Sequence, residues 1–222
     1  MHSKLEKILT SIKKTYPDTP FSIKIRAGYK RFIDLQKFAD MINAIDLSHV
    51  TIHPKLAVNP HKDFPNITNH AISKQFVELL THPVIINGGI ISLQMANDLL
   101  NYTGAAGAMI GRQAQKYPWV FNPKYQERIS TNEYIDSLKH FLTLTKEYGY
   151  AKLYMVRDQI LGMVRGFSGA KQKRQELQHK ISSLDDLIAF IDDLNTFFKT
   201  AEVSSIKNVT SKQVIASSEL IS

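Results

Sequence analysis

The 222-residue chain contains no cysteine and a single tryptophan. The missing cysteine excludes disulfides, thiolate zinc sites, iron–sulfur clusters and a cysteine nucleophile within this sequence. The longest apolar run, residues 84–91, is interrupted by glycine and asparagine, whereas a helix that spans a bilayer needs about 20 residues. We therefore predict no membrane span. Because the first residues also lack the apolar core of a signal peptide, we expect a cytoplasmic protein.

Composition and charge favour a folded protein with anionic partners. Apolar residues make up 43% of the chain and charged residues 22%, which is ordinary for a globular protein. Lys and Arg number 28 against 20 Asp and Glu, so the formal net charge is +8. The basic residues are concentrated between positions 152 and 180. This stretch predicts attraction to an anionic partner, although a solvated helix face has the same pattern.

Four short runs of β-type residues, centred near positions 24, 51, 85 and 109, alternate with helical periodicity. The second run is predicted to end at Pro54. Such alternation predicts a parallel sheet, which fits either a doubly wound fold or part of a (β/α)8 barrel. No G-x-G-x-x-G or G-x-x-x-x-G-K-[ST] motif is present, which argues against a dinucleotide-binding or P-loop protein. After residue 121 only helices are predicted.

Polar or glycine clusters follow all four predicted strands, where parallel α/β proteins bind ligands. They contain Lys24, His53, Asn87-Gly88-Gly89 and Gly111-Arg112. Glycines allow close approach of backbone N–H groups to a phosphate, and an arginine adds charge, so a phosphorylated ligand is predicted. Lys24 interrupts an apolar run and must be paired or face a cavity. Each cluster also has a plainer explanation, as a turn or a surface cation. The histidine spacings are nonspecific, and no metal site is predicted.

In order and spacing, these segments resemble the tRNA-dihydrouridine synthase family over about residues 3–195. Phe21–Gly28 is similar to the family's V-x-V-K-I-R-x-G strand, and Val50–His53 to its I-T-V-H-G-R segment. Val84–Ile90 is similar to V-I-x-N-G-D-I, and residues 109–121 to M-I-G-R-G-A followed by N-P-W-x-F. Residues 156–174 carry a further similarity in the helical half.

The resemblance implies an α/β fold with a partial (β/α)8 TIM barrel, about the last five βα units, followed by an all-α helical bundle. We expect an FMN-binding barrel domain over 1–122, a helical tRNA-binding domain over 123–199 and a disordered tail over 200–222.

The implied activity is the FMN-dependent reduction of tRNA uridine to 5,6-dihydrouridine, with NADPH as reductant. By resemblance, Lys24 reaches the flavin ring and His53 the flavin or its phosphate side. The ribityl phosphate is assigned to Asn87, Gly88, Gly89, Gly111 and Arg112. The residues predicted to contact tRNA are Arg157, Arg165, Lys171, Lys173 and Arg174.

The family's first three strands and its catalytic cysteine have no counterpart in this sequence. We therefore expect no catalytic residue in this chain and an activity that is incomplete for the chain alone. The expected partners are tRNA and either further copies of the chain or a complementary N-terminal chain. Two alternatives stay open, a non-catalytic tRNA-binding remnant and a different barrel enzyme that binds FMN or another phosphate.

Overall fold

The computed structural model describes residues 2–58, 68–149 and 152–208. Spatial grouping places the described residues up to Gly111 in a first unit and those from Arg112 onward in a second unit. The domain limits 1–122 and 123–199 stay a prediction. None of the helices in these ranges combines the length and apolar character that crossing a bilayer requires.

The first unit alternates helices and strands, as the sequence predicted. Its elements are α1 (His2–Thr15), β1 (Ile23–Gly28), α2 (Leu35–Asn43), β2 (Val50–Leu56), α3 (His70–Leu79), β3 (Val84–Asn87), α4 (Leu93–Thr103) and β4 (Gly107–Met109). All neighbouring strands are parallel, and their order in the sheet is β1-β2-β3-β4. The described residues thus contain four parallel strands, whereas the resemblance implied about five βα units.

The sequential strand order is the feature of this sheet that bears on the two architectures left open by the sequence. A doubly wound sheet reverses its strand order at a switch point, and no reversal occurs among these four strands. Right-handed crossovers that all proceed in one direction place their helices on one face of the sheet. Helix α3 packs on β2, and Phe38 of α2 meets Phe76 of α3 edge to face, with ring centroids 5.7 Å apart.

Strand β2 continues to Leu56, beyond the end predicted at Pro54. Proline lacks the N–H that a central strand donates to its neighbours. However, β2 pairs with β3 only over Val50–Ile52, while its pairing with β1 reaches Leu56. Pro54 therefore lies where the strand has a single neighbour.

The second unit is mainly helical. Its elements are α5 (Arg112–Lys116), two short 3-10 turns over 118–121 and 123–125, β5 (Arg128–Ser130), α6 (Thr131–Tyr148), α7 (Leu153–Met163), α8 (Ala170–Lys180), α9 (Leu184–Thr200) and β6 (Ser205–Lys207). A capping box begins α9, because Ser183 Oγ accepts from the Asp186 N–H while the Asp186 side chain accepts from the Ser183 N–H. Helices α6 and α9 pack against each other.

Two short strands correct the prediction of an all-helical half. β5 and β6 pair antiparallel, with Ile129 opposite Ile206, and both isoleucines are buried. β6 falls within the segment 200–222 predicted as a disordered tail, of which residues 209–222 lie outside the described residues. A three-residue strand with one inward side chain has no detectable period, which explains why the pattern missed it.

Aromatic side chains form much of the core of the second unit. Trp119 packs on Tyr134 with ring centroids 5.3 Å apart, and Tyr134 meets Phe198 at 5.9 Å. The indole N–H of Trp119 donates to Ser137 Oγ at 3.2 Å. The single tryptophan is therefore a reporter of packing in this unit.

Candidate functional site

Polar side chains follow one another along one face of the first unit's sheet. Lys24 and Arg26 are exposed and alternate with less exposed isoleucines along β1. Side chains of a strand alternate between faces, and paired residues of parallel strands share a face. Arg26 pairs with His53 of β2. The structure therefore brings the predicted site residues Lys24 and His53 to the same face.

Lys24 is exposed rather than enclosed in the apolar core. Its Nζ donates to Met109 Sδ at 3.1 Å, and a thioether is a weak acceptor. Within the described ranges Lys24 forms no ion pair. The ammonium is thus open to an additional, stronger acceptor on this face.

Arg26 fixes the chain that follows β2. Its Nη1 donates to the carbonyl oxygens of Leu56 at 3.1 Å and Ala57 at 3.3 Å. The sequence placed Arg26 beside Lys24 without giving it a role. In the structure, Arg26 positions the loop at the carboxyl edge of the sheet.

Asn87, at the end of β3, is buried and links two strands. Its Nδ2 donates to the carbonyl oxygen of Met109 at 2.9 Å, and the two residues are register partners of β3 and β4. The Asn87 side chain therefore has a structural role. It holds together the ends of β3 and β4, which precede the residues predicted to bind phosphate.

The glycines after β3 adopt conformations that other residues rarely adopt. Gly88 has φ of 115° and Gly89 has φ of 72°. A Cβ at Gly88 would lie 2.6 Å from Cδ2 and 2.8 Å from Nε2 of His53. The His53 ring thus lies directly against the Gly88 backbone, and these two predicted residues are in contact.

His70 belongs to this site although no pattern in the sequence indicated it. It is the first residue of α3, and its Nε2 donates to the Gly88 carbonyl oxygen at 3.0 Å. Nδ1 lies 3.4 Å from the hydroxyl of the buried Ser73. Burial lowers the pKa of His70, although the hydrogen bond to Gly88 opposes this shift. A neutral imidazole therefore holds the glycine loop, with the proton on Nε2.

Gly111 lies just beyond β4, at the same edge of the sheet. It is exposed, and a Cβ built on it would meet no heavy atom within 4 Å. Arg112, the next residue, is exposed and begins α5 in the second unit. The space around Gly111 allows a ligand to approach its backbone closely.

These features together have the chemical character of an edge that could bind an oxyanion. Positive-φ glycines, an open glycine and an exposed ammonium are suited to a phosphorylated ligand. Within the described ranges, no group of three or more His, Asp or Glu side chains could hold a metal ion.

The predicted tRNA-binding residues lie on α7, α8 and the segment between them. Lys171 is exposed on α8. Arg165 Nε donates to the Gly162 carbonyl oxygen at 3.1 Å, and Arg174 Nη1 donates to that of Val164 at 2.9 Å. Arg157 lies 3.6 Å from Asp158. The three arginines are half-buried, and the Nε of Arg157 is buried without a hydrogen-bond partner among the described residues.

Lys173 differs from the other predicted tRNA-binding residues. It is buried, and its Nζ lies 2.6 Å from Asp193 and 3.1 Å from Glu176. Burial disfavours the ammonium, but hydrogen bonds to Asp193 and Glu176 outweigh burial and raise the pKa of Lys173. The charge is therefore already compensated by the protein, which leaves Lys173 poorly placed to contact a phosphate.

Comparison with known proteins gives one consistent result. Residues 2–201 match the family model described as "Dihydrouridine synthase (Dus)". The chain is 26% identical over 208 residues to a "Probable tRNA-dihydrouridine synthase" of Helicobacter pylori (strain ATCC 700392 / 26695), covering 90% of this chain and 60% of that protein. It is 30% identical over 209 residues to "tRNA-dihydrouridine synthase B" of Pectobacterium carotovorum, covering 88% of this chain and 62% of the relative. The chain thus spans about 60% of the length of these curated relatives.

Proposed function

The chain belongs to the dihydrouridine synthase family, and on that basis we propose that it carries the flavin-phosphate edge and the tRNA-binding part of a tRNA-dihydrouridine synthase. The observation that carries this proposal is the carboxyl edge of the parallel sheet. There Lys24 and His53 share a face, and His53 lies against the positive-φ Gly88.

We further propose that the four parallel strands are part of a (β/α)8 barrel. Their sequential order and one-directional crossovers support this architecture. Four strands cannot close a barrel, so the remaining strands would be supplied by residues outside this sequence. A further copy of the chain or a complementary N-terminal chain stays a prediction.

The residues of the first unit fit FMN in chemical character. Lys24 would lie by the flavin ring, since its ammonium has only the Met109 thioether as a described partner. The backbone at Gly88, Gly89 and Gly111 would hold the ribityl phosphate, while the assignment of Arg112 stays a prediction. When bound, reduced FMN supplies the hydride for uridine, with NADPH as the source of electrons. His70 would keep the Gly88 carbonyl, and with it the glycine loop, in place.

Reduction of a uracil double bond also requires a proton at the second carbon. The resemblance assigns that proton to a cysteine, and this sequence contains none. Under the proposal, the acid therefore comes from outside this sequence. The same absence is the observation that favours the second candidate, a tRNA-binding protein without catalytic activity.

We propose that tRNA contacts the second unit through Arg157, Arg165, Lys171 and Arg174. Phosphate contacts from such side chains supply affinity that falls steeply with salt. Lys173 contributes to the fold instead, because its ammonium is paired with two carboxylates. The uridine would need to leave its stack to reach the flavin.

Two binding measurements on the 222-residue chain test the proposal. Quenching of FMN fluorescence measures flavin binding, and filter binding at several salt concentrations measures tRNA binding. Lys24→Met is expected to weaken FMN binding about tenfold, the loss of one charge-assisted hydrogen bond. Lys7→Met is the matched control, because Lys7 is exposed on α1.

The outcomes separate the candidates. FMN binding that depends on Lys24 but not on Lys7, together with salt-sensitive tRNA binding, supports the synthase. Binding of tRNA without FMN supports the non-catalytic protein. Binding of FMN without tRNA, or equal effects of the two lysine variants, contradicts the proposed assignment.

A further inference from the structure

A basic cavity lies in the second unit. It has a volume of about 30 Å³ and is lined by Gln113, Lys116, Tyr117, Arg165 and Lys207. Three of the five lining side chains are cations, and none is a carboxylate. In the part of the chain that the structure describes, these three cations form no ion pair.

Close backbone contacts build this cavity from segments that are distant in sequence. The Lys207 N–H donates to the Gly166 carbonyl oxygen at 3.0 Å. Gly166 has φ of 84°, and a Cβ on it would overlap the Lys207 carbonyl. Only glycine therefore allows β6 to approach the segment that carries Arg165. On the other side, the Gln113 side chain donates to Asn208, which joins α5 to the end of β6.

Tyr117, one of the residues that line the cavity, carries an unpartnered hydroxyl. Tyr117 is 3% exposed, and its hydroxyl has no hydrogen-bond partner among the described residues. Burial, with a smaller contribution from Tyr125, raises the pKa of Tyr117 to about 12. The phenol is therefore protonated at neutral pH and can donate. A buried donor without an acceptor is unfavourable, and it adds no negative charge to the wall of the cavity.

Positive charge also accumulates around the cavity. Burial lowers the pKa of the Arg174 guanidinium, and the neighbouring charge of Arg165 lowers it further. The guanidinium of Arg174 thus repels that of Arg165, which lines the cavity together with Lys116 and Lys207. An oxyanion at this position would relieve that repulsion, whereas a cation or an apolar group would not.

The size of the cavity limits the ligand. About 30 Å³ exceeds the ~10–15 Å³ that a single water requires, so the oxygens of one oxyanion can enter, while a base or a sugar cannot. We infer that the cavity lined by Lys116, Arg165 and Lys207 binds one phosphate group of an RNA backbone. The choice of RNA as the source of the phosphate rests on the proposed function.

Inorganic phosphate is the probe for the site itself. Equilibrium dialysis of the full 222-residue chain against labelled phosphate, at constant ionic strength set with chloride, measures the affinity. Lys116→Gln and Lys207→Gln are each expected to weaken binding about tenfold. Lys146→Gln is the matched control, because it removes the same charge from an exposed lysine of α6 that does not line the cavity. Circular dichroism confirms that each variant is folded.

Trp119 provides a local signal for the same event. Its ring lies 5.3 Å from that of Tyr117, and it is the only tryptophan in the chain. Phosphate is expected to change its fluorescence in the wild type and in Lys146→Gln, with a midpoint shifted about tenfold in Lys207→Gln.

Unmodified tRNA identifies the source of the phosphate. If one RNA phosphate occupies the cavity, inorganic phosphate competes with tRNA, and Lys207→Gln lowers tRNA affinity and reduces the salt slope by about 1. Phosphate binding that is absent, or equal in all variants, overturns the site. Phosphate binding with tRNA affinity unchanged in Lys207→Gln overturns the assignment to RNA. Binding of tRNA without phosphate competition overturns this inference and leaves the proposed function intact.

Discussion

Replacing Gly88 by alanine tests the geometry of the proposed flavin edge directly. Alanine would have to adopt φ of 115°, where a side chain strains the backbone by about 1–3 kcal/mol. Its Cβ would also lie 2.6 Å from the His53 ring, which must therefore move. We expect Gly88→Ala to destabilise the strand ends by about 2 kcal/mol, which corresponds to about a 30-fold larger equilibrium constant for local opening.

Gly111→Ala is the matched control for this substitution. Gly111 lies at the same edge of the sheet, but its added Cβ would meet nothing within 4 Å. The stability of the Gly111→Ala variant should be unchanged or higher by up to about 1 kcal/mol, because alanine restricts the unfolded chain. Amide hydrogen exchange followed by mass spectrometry, on peptides that cover β3 and β4, measures the local free energy of opening. Peptides from α9 report on the second unit and should not change.

The comparison of the two glycines has a clear refuting result. Equal loss of protection in both variants would mean that the positive φ of Gly88 and its contact with His53 do not determine the stability of this edge. Full protection in Gly88→Ala would refute the close approach itself.

Three further predictions concern ionisable side chains. Lys173→Met should lower the free energy of unfolding by about 1 kcal/mol because two carboxylates lose their partner, whereas Lys171→Met should change it by less than about 0.5 kcal/mol. Urea unfolding followed by tryptophan fluorescence measures both free energies, and equal changes in the two variants would contradict this prediction. Hydrogen bonds, first from Lys124, lower the pKa of Glu133 from 4.5 to about 2, so the stabilising contribution of Glu133 is complete above pH 4.5 and is lost as the pH falls toward 2. Acid unfolding measured by circular dichroism should lack this part of the pH dependence in Glu133→Gln. Burial lowers the pKa of His70 below 6.5, so the contribution of His70 to stability is complete above pH 6.5 and is lost as the pH falls through the lower folded-state pKa. If the stability of His70→Gln had the same pH dependence between pH 7 and 5 as that of the wild type, this prediction would be contradicted.

The strands of the first unit were predictable because buried parallel strands are short, continuous apolar runs. Their exact ends were not. β1 extends through Ala27 to Gly28, and neither of these two residues has the β-type character of the run centred near position 24. β6 was missed for a different reason. Its stability comes from pairing with β5 and from burial of Ile206, and neither is visible in three residues of sequence.

The position of the candidate site was predictable for a topological reason. Parallel strands end at one edge, so clusters after each strand must converge there, as His53 and Gly88 do. The partner of each side chain was not predictable. His70 reaches Gly88 across 18 residues of sequence, and the ammonium of Lys173 is compensated by Asp193 of another helix. Such choices depend on distances that only the folded chain defines.

The pairing of β5 with β6 also has a consequence for the order in which the second unit folds during synthesis. Helices α6 to α9 can form from local contacts as they leave the ribosome, whereas β5 has to wait for residues 205–207, which follow all four helices. Closing this long loop is the last step of the unit. A translation product that stops before residue 205 would retain β5 with its pairing edge open, and an open edge is a template for aggregation.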